Sequence, residues 1–223
     1  MFKKIRFINP ELKLSSNLAI VGSSGRLNNS KKGNYIDSFD DVVRFNTAIT
    51  KGYEEDAGSR TTLRAVNNVV FDNNNLKKSG YSKSPKNFMK KLRNQKVLFI
   101  GPHLKPWINR DQNSHKSNEL FLYDYEMTSK IKELMDCHFE QNLQIGTIMI
   151  GLSIISGIKP TIFGFDLEQE SRTHYYQDRP KNVNNLTHNP YMEQIAIKNL
   201  INQDMIEYII CLLYTSPSPR DRS

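Results

Sequence analysis

Short apolar runs alternate with longer amphipathic or polar stretches along most of the chain. Residues 17–22 (NLAIVG) form an apolar run closed by glycine, which predicts a buried strand. Residues 41–46 (DVVRFN) predict a second strand, and 61–66 with 68–71 a third, split or bent. Residues 72–86, rich in Asn, Lys, Ser and Gly, read as an exposed loop. After Pro85, residues 87–94 predict a short helix, and 96–101 (KVLFIG) a strand again ending in glycine. Residues 103–118 mix Pro, Trp, Asn and charge, as an irregular loop or lid over a site would. Residues 117–125 and 128–138 predict helices. Residues 146–156 are apolar all round, which predicts a buried helix entered through Gly146, capped by Gly157 and followed by a strand over 159–165. The last amphipathic pattern covers 188–205, with Pro190 in its first turn. No internal repeat is present. Strand and helix in alternation predict an α/β fold.

Composition narrows this picture. At 223 residues the chain is of the size of one large domain, and 38% hydrophobic residues suffice for a core despite a mean hydropathy of -0.58. The longest apolar stretch, 147–158, contains Gly and Ser and is too short to span a bilayer. Residues 1–14 carry basic side chains with no apolar run after them, so they predict neither a secretory signal nor an anchor. The formal charge of +8 fits a nucleic acid, an anionic membrane surface or an acidic small substrate, and by itself does not choose. Residues 211–221 (CLLYTSPSPRD) have no periodicity and resemble, residue for residue, the translation of a transposase sequencing adapter. The expected native part is therefore 1–210, one catalytic domain, with 211–223 set apart. Without that tail Cys137 is the one cysteine, which leaves no disulfide to form within the chain.

The first strand ends in Gly22-Ser23-Ser24-Gly25. Glycines after a strand let a backbone approach a phosphate, and hydroxyls can donate to it. The same four residues also make an ordinary tight turn. The spacing is not GxGxxG, and no Lys-Ser/Thr follows as in a Walker A loop. The longer string decides more. Residues 21–64 read VGSSGRLNNSKKGNYIDSFDDVVRFNTAITKGYEEDAGSRTTLR, with Gly33, Ile36, Asp37, Arg44, Asn46, Ala48, Gly52, Asp56, Gly58 and Thr61 at motif spacing. This resembles the large sialyl motif of glycosyltransferase family 29, the eukaryotic-type sialyltransferases. Three further signatures follow in order. Residues 146–165 (GTIMIGLSIISGIKPTIFGF) resemble the small sialyl motif, His174-Tyr175-Tyr176 the third motif, and His188 with Glu193 the HxxxxE of the very small motif. The resemblance covers about 18–200, with 67–140 in the family's variable middle.

The resemblance implies a Rossmann-like nucleotide-binding domain in the variant GT-A-type sialyltransferase fold. It implies an inverting transfer of sialic acid from CMP-sialic acid to a glycan hydroxyl, with no metal and no other cofactor. His188 is then the base that takes the acceptor proton, and His174 meets the leaving phosphate. Gly22, Ser23, Ser24, Gly25, Asn46, Gln144, Ile145, Gly146, Gly164 and Tyr176 are the implied donor-binding residues, and Glu193 an orienting one. The segment between His174 and His188, rich in Arg, Asn, Lys and Pro, reads as a lid that orders on donor binding. The five histidines show no metal-ligand spacing and no DxD is present. Two departures stand out: Ser23 replaces the usual Asn, and Gln144-Ile145 replaces Ser-Thr before the glycine. They leave open another CMP-linked ulosonic acid as donor, or a catalytically inactive nucleotide- or glycan-binding homologue. The family's disulfide positions correspond to Leu18 and Gly157. This predicts a reducing, cytoplasmic setting, with peripheral membrane contact left open. On this reading the positive charge serves a phosphate and a sugar acid rather than a nucleic acid.

Overall fold

Burial at every position, rather than on alternate ones, marks the central strands. Strand β2 (Leu18–Val21) is buried along its whole length, as is β4 (Leu63–Val66), because helices cover both faces of the sheet they belong to. The structure is a computed structural model that describes residues 6–7, 12–71, 73–78, 80, 85–92, 95–101, 119–137, 140, 142–167, 173–180 and 188–210. Between β2 and β4 lies β3 (Asp41–Phe45). Beyond β4 follow β5 (Lys96–Phe99), β6 (Glu119–Leu122) and, at the edge, β1 (Arg6–Phe7). On the other side of β2 lie β7 (Thr161–Phe163) and β10 (Glu207–Ile209). All eight strands are parallel, in the order β1-β6-β5-β4-β3-β2-β7-β10. The chain thus winds outward from β2 in one direction, then returns to its other side. The crevice between the C-terminal ends of β2 and β7 is the switch point where doubly wound sheets bind ligands.

The helices are α1 (Gly33–Asp37), α2 (Glu54–Ala57), α3 (Asn73–Lys78), α4 (Pro85–Lys91), α5 (Glu126–Leu134), α6 (Ile145–Ile155) and α7 (Pro190–Asn202). A two-stranded antiparallel hairpin, β8 (Thr173–His174) with β9 (Gln177–Pro180), lies outside the main sheet. Strand alternation sorts β2 between two cores. Leu18 and Ile20 join Ile148, Met149, Ile197 and Leu200 from α6 and α7. Ala19 and Val21 join Ile36, Phe163 and Tyr175. A third cluster under β4 and β5 gathers Val66, Leu76, Phe88 and Phe99.

The α/β expectation holds, and several element expectations change. Residues 119–122 are a strand rather than part of a helix over 117–125, because Leu120 to Leu122 pair in register with β5 and are buried there. Residues 68–71 form a 3-10 turn, not a strand: Asn67 turns the chain by accepting from the Val69 N–H at 3.1 Å. Within the expected loop 72–86, α3 forms because Leu76 is buried against the third cluster. Strands β1 and β10 are two and three residues long, too short to carry a period. Residues 103–118, read as an irregular loop or lid, residues 181–187 of the lid read between His174 and His188, and the tail 211–223 lie outside the described residues.

The long motif is a self-locking unit. The Asp37 carboxylate accepts from the Ser59 N–H (2.8 Å), the Ser59 hydroxyl (2.7 Å) and the Arg60 N–H (2.9 Å). Asp56 accepts from the N–H groups of Asn29 (2.8 Å) and Lys31 (3.0 Å), both at positive φ. Gly33 is packed so tightly that a Cβ would overlap the Glu54 carbonyl. Residues 25–37 and 54–60 therefore brace each other below the loop after β2. Burial pushes the Asp37 carboxyl up, but the Ser59 and Arg60 hydrogen bonds and the Arg44 charge outweigh it and hold it below the usual carboxylate range. A lowered carboxyl adds stability above its unfolded pKa, and that stability is lost as pH falls through the folded value. Asp37→Asn is expected to lower unfolding stability by about 1 kcal/mol at pH 7. In urea titrations the difference from wild type should shrink toward zero below about pH 4.

Candidate functional site

The site is built where β2, β3 and β7 end. After β2, the Gly22 N–H donates to the Phe163 carbonyl at 2.7 Å, and the Ser24 N–H donates to the Gly164 carbonyl at 3.1 Å. A Cβ on Gly22 would overlap the Gly164 carbonyl, so glycine is what lets these two chain segments touch. Gly164, at φ 65, turns the chain away from β7. The implied donor-loop residues Gly22 to Gly25 and Gly164 are thus brought together at the switch point.

The two serines take different positions. Ser24 is buried, and its hydroxyl accepts from the Arg26 N–H at 3.1 Å while donating to the Asp166 carboxylate. Its hydrogen is therefore spent inside the protein. Asp166 also lies 3.6 Å from the Arg26 guanidinium, which offsets a negative charge beside a loop suited to phosphate. Ser23 is half-buried. Its hydroxyl meets the Tyr176 phenol, which also reaches Thr47; burial pushes that phenol up and these hydrogen bonds oppose it.

The hairpin β8–β9 is fastened to the same loop. His174 bridges to Ser24, and the Tyr175 N–H donates to the Ser23 carbonyl at 3.1 Å. The His174 Nδ1 lies 3.2 Å from that carbonyl, and its ring stacks on Tyr176 with centroids 5.4 Å apart. Asn46, just after β3, takes φ 45 and uses its side-chain carbonyl to accept from the Asn67 N–H at 3.0 Å.

Helix α6 brings its N-terminus to the same end of the sheet. A Cβ on Gly146 would lie 2.9 Å from the Phe165 ring and 4.0 Å from the Phe45 ring, the side chains at the ends of β7 and β3. Gln144 is the N-cap, and its side chain makes no cap hydrogen bond; Ile145 opens the helix. The HxxxxE pair grips the chain just before this helix. Glu193, wholly buried in α7, accepts from the Gln144 N–H at 2.9 Å. The His188 Nδ1 lies 2.7 Å from the Asn142 carbonyl. Burial pushes the Glu193 carboxyl up, against hydrogen bonds from Thr147 and Gln144 and the nearby His188.

Sequence reasoning missed Asp166, Thr47 and Asn142. Asp166 had a signal, since it follows the sheet-end glycine by two residues. Asn142 acts through its backbone carbonyl, which side-chain identity does not reveal. Gly22→Ala is expected to cost about 1–3 kcal/mol in denaturant unfolding, since the two loops must separate to admit the methyl.

A family model described as glycosyltransferase family 29 (sialyltransferase) matches residues 12–205. The chain is 49% identical over 57 residues to beta-galactoside alpha-2,6-sialyltransferase 2 of Gallus gallus, covering 26% of this chain and 11% of that protein. It is 49% identical over 55 residues to the Homo sapiens protein of the same name, covering 25% and 10%. The match therefore spans about a tenth of these relatives' length. The fold is similar to the crystal structure of a mammalian sialyltransferase, with a TM-score of 0.64 and 19% identity over 92% of this chain and 69% of that one. It is also similar to the sialyltransferase CstII from Campylobacter jejuni in complex with a substrate analogue, cytidine-5'-monophosphate, with a TM-score of 0.52 and 16% identity over 88% and 80%. These structural likenesses bear on the fold.

Proposed function

The chain belongs to glycosyltransferase family 29, and from that premise we propose that it transfers sialic acid from CMP-sialic acid to a glycan hydroxyl. In this reading the transfer inverts the anomeric carbon and uses no metal. The acceptor hydroxyl loses its proton to a base as its oxygen attacks that carbon. The bond to the CMP phosphate breaks, and the electron pair leaves with the phosphate.

The observation that carries the reading is the setting of two imidazoles by backbone carbonyls. A carbonyl only accepts, so the Nδ1 of His188 carries the hydrogen in its bond to Asn142. Its Nε2 then holds the lone pair a base needs. His174 is set the same way by the Ser23 carbonyl. Its Nε2 can donate to a leaving phosphate only when the ring is protonated. The two histidines therefore work in opposite charge states, His188 neutral and His174 cationic. The N-terminal end of α6, eleven residues long, adds positive potential for the phosphate. That supply of positive charge supports the metal-free reading.

The donor's identity among CMP sugars turns on Ser23 and Gln144. The exposed Gln144 side chain, unused as a cap, favours testing another CMP-linked ulosonic acid beside CMP-sialic acid. The proposal includes a cytoplasmic setting. Leu18 and Gly157 at the family's disulfide positions support it, as does a buried Cys137 whose thiol burial and Glu193 push up to about 11. Among the described residues no helix is long and apolar enough to cross a membrane.

His188→Ala should cut transfer by about 10²–10⁴-fold while donor binding, followed by thermal shift against a set of CMP sugars, stays within a few-fold. Loss of donor binding with the activity would assign His188 to binding instead.

A further inference from the structure

We propose that Arg44 and Tyr175 form a positioning pair that holds His174 in its working orientation; this rests on the role proposed for His174. Arg44 sits in the middle of the sheet, in register with Val21 of β2 and Arg64 of β4. Its side chain is wholly buried. Nε donates to the Arg60 carbonyl at 2.9 Å and Nη2 to the Ala57 carbonyl at 2.5 Å, while Nη1 has no hydrogen-bond partner among the described residues. Such a cation is costly unless another dipole or charge faces it. The groups facing it are the Tyr175 phenol, the repelling Arg64 and the attracting Asp37, and burial lowers Arg44 to about 10.

Tyr175 answers from the other side. It is 3% exposed, and its hydroxyl donates to the Ile49 carbonyl at 2.7 Å. With the hydrogen committed there, the oxygen lone pairs are left for the guanidinium. The same residue's N–H donates to the Ser23 carbonyl, which also receives the His174 Nδ1. The hairpin does not belong to the main sheet, and β8 contributes only two residues to it. The buried phenol thus fastens the hairpin, and the neighbouring His174 ring is aimed by how that phenol sits. Tyr53 and Tyr176 pack edge-on against Tyr175, at 5.3 and 4.8 Å between centroids.

The test is a double-mutant cycle with a second, activity-free readout. Tyr175→Phe should lower kcat by about 10- to 100-fold, with donor KM within about threefold of wild type. In a His174→Ala background the same change should cost less than about twofold, because its effect runs through a ring already removed. A purely structural role would give losses that multiply, and that result overturns the pair. In the donor-free protein, with the ring neutral, the ¹⁵N NMR signals of the His174 imidazole should show the Nδ1–H tautomer in wild type and a mixture in Tyr175→Phe; an unchanged tautomer overturns it as well. Should Tyr175→Phe fail to fold, Arg44→Lys, which keeps the charge but not the planar fork, takes its place in both measurements. A wild type that releases no CMP from any CMP sugar defeats the functional reading, while the NMR comparison still decides the pair.

Discussion

The contact between Gly22 and Gly164 organises this molecule. Two strands distant in sequence, β2 and β7, run side by side in the sheet, and the chain leaves both at one point. The Gly22 N–H reaches the Phe163 carbonyl at 2.7 Å, and no side-chain atom fits between the two segments. With that closeness fixed, the loop after β2, the turn after β7 and the first turn of α6 border one crevice. A wider gap would separate the residues that later motifs grip.

Those later motifs act as clasps rather than as a list of ligands. The His174-Tyr175-Tyr176 segment closes on the loop after β2 through Ser23 and Ser24, and on the chain after β3 through Ile49. The His188–Glu193 segment closes on residues 142–144 ahead of α6. In each clasp a histidine gives its Nδ1 to a backbone carbonyl, and a buried partner bears the load: Tyr175 against Arg44 in one, Glu193 in the other. Both Arg44 and Glu193 keep one buried polar atom without a hydrogen-bond partner among the described residues. A sequence chosen for stability alone would have less reason to bury these charges. Their burial fits a site whose imidazoles are aimed, as proposed above.

How much of this the sequence discloses depends on the kind of interaction. The strands β2, β3 and β5 are legible as apolar runs because both of their faces are covered. Residues 119–122 are not: ELFL suits either structure, and only the neighbouring β5 makes it a strand. The motif string locates Gly22, His174 and His188, yet it does not separate Ser24, whose hydroxyl goes to Asp166, from Ser23. Nor does it show that Asp37, Asp56 and Gly33 serve the fold, since that depends on backbone N–H groups and a carbonyl some twenty residues away. Side-chain identity carries the chemistry, while backbone atoms carry the aim.

The proposed function requires that a CMP-linked donor seat at this crevice with a protonated His174 against its phosphate. Calorimetric titration of CMP into the protein at neutral pH, in buffers of different ionisation enthalpy, tests it most directly. Saturable binding is expected, accompanied by uptake of up to one proton as His174 charges to meet the phosphate. Absence of CMP binding, or binding with no proton uptake across neutral pH, would contradict it.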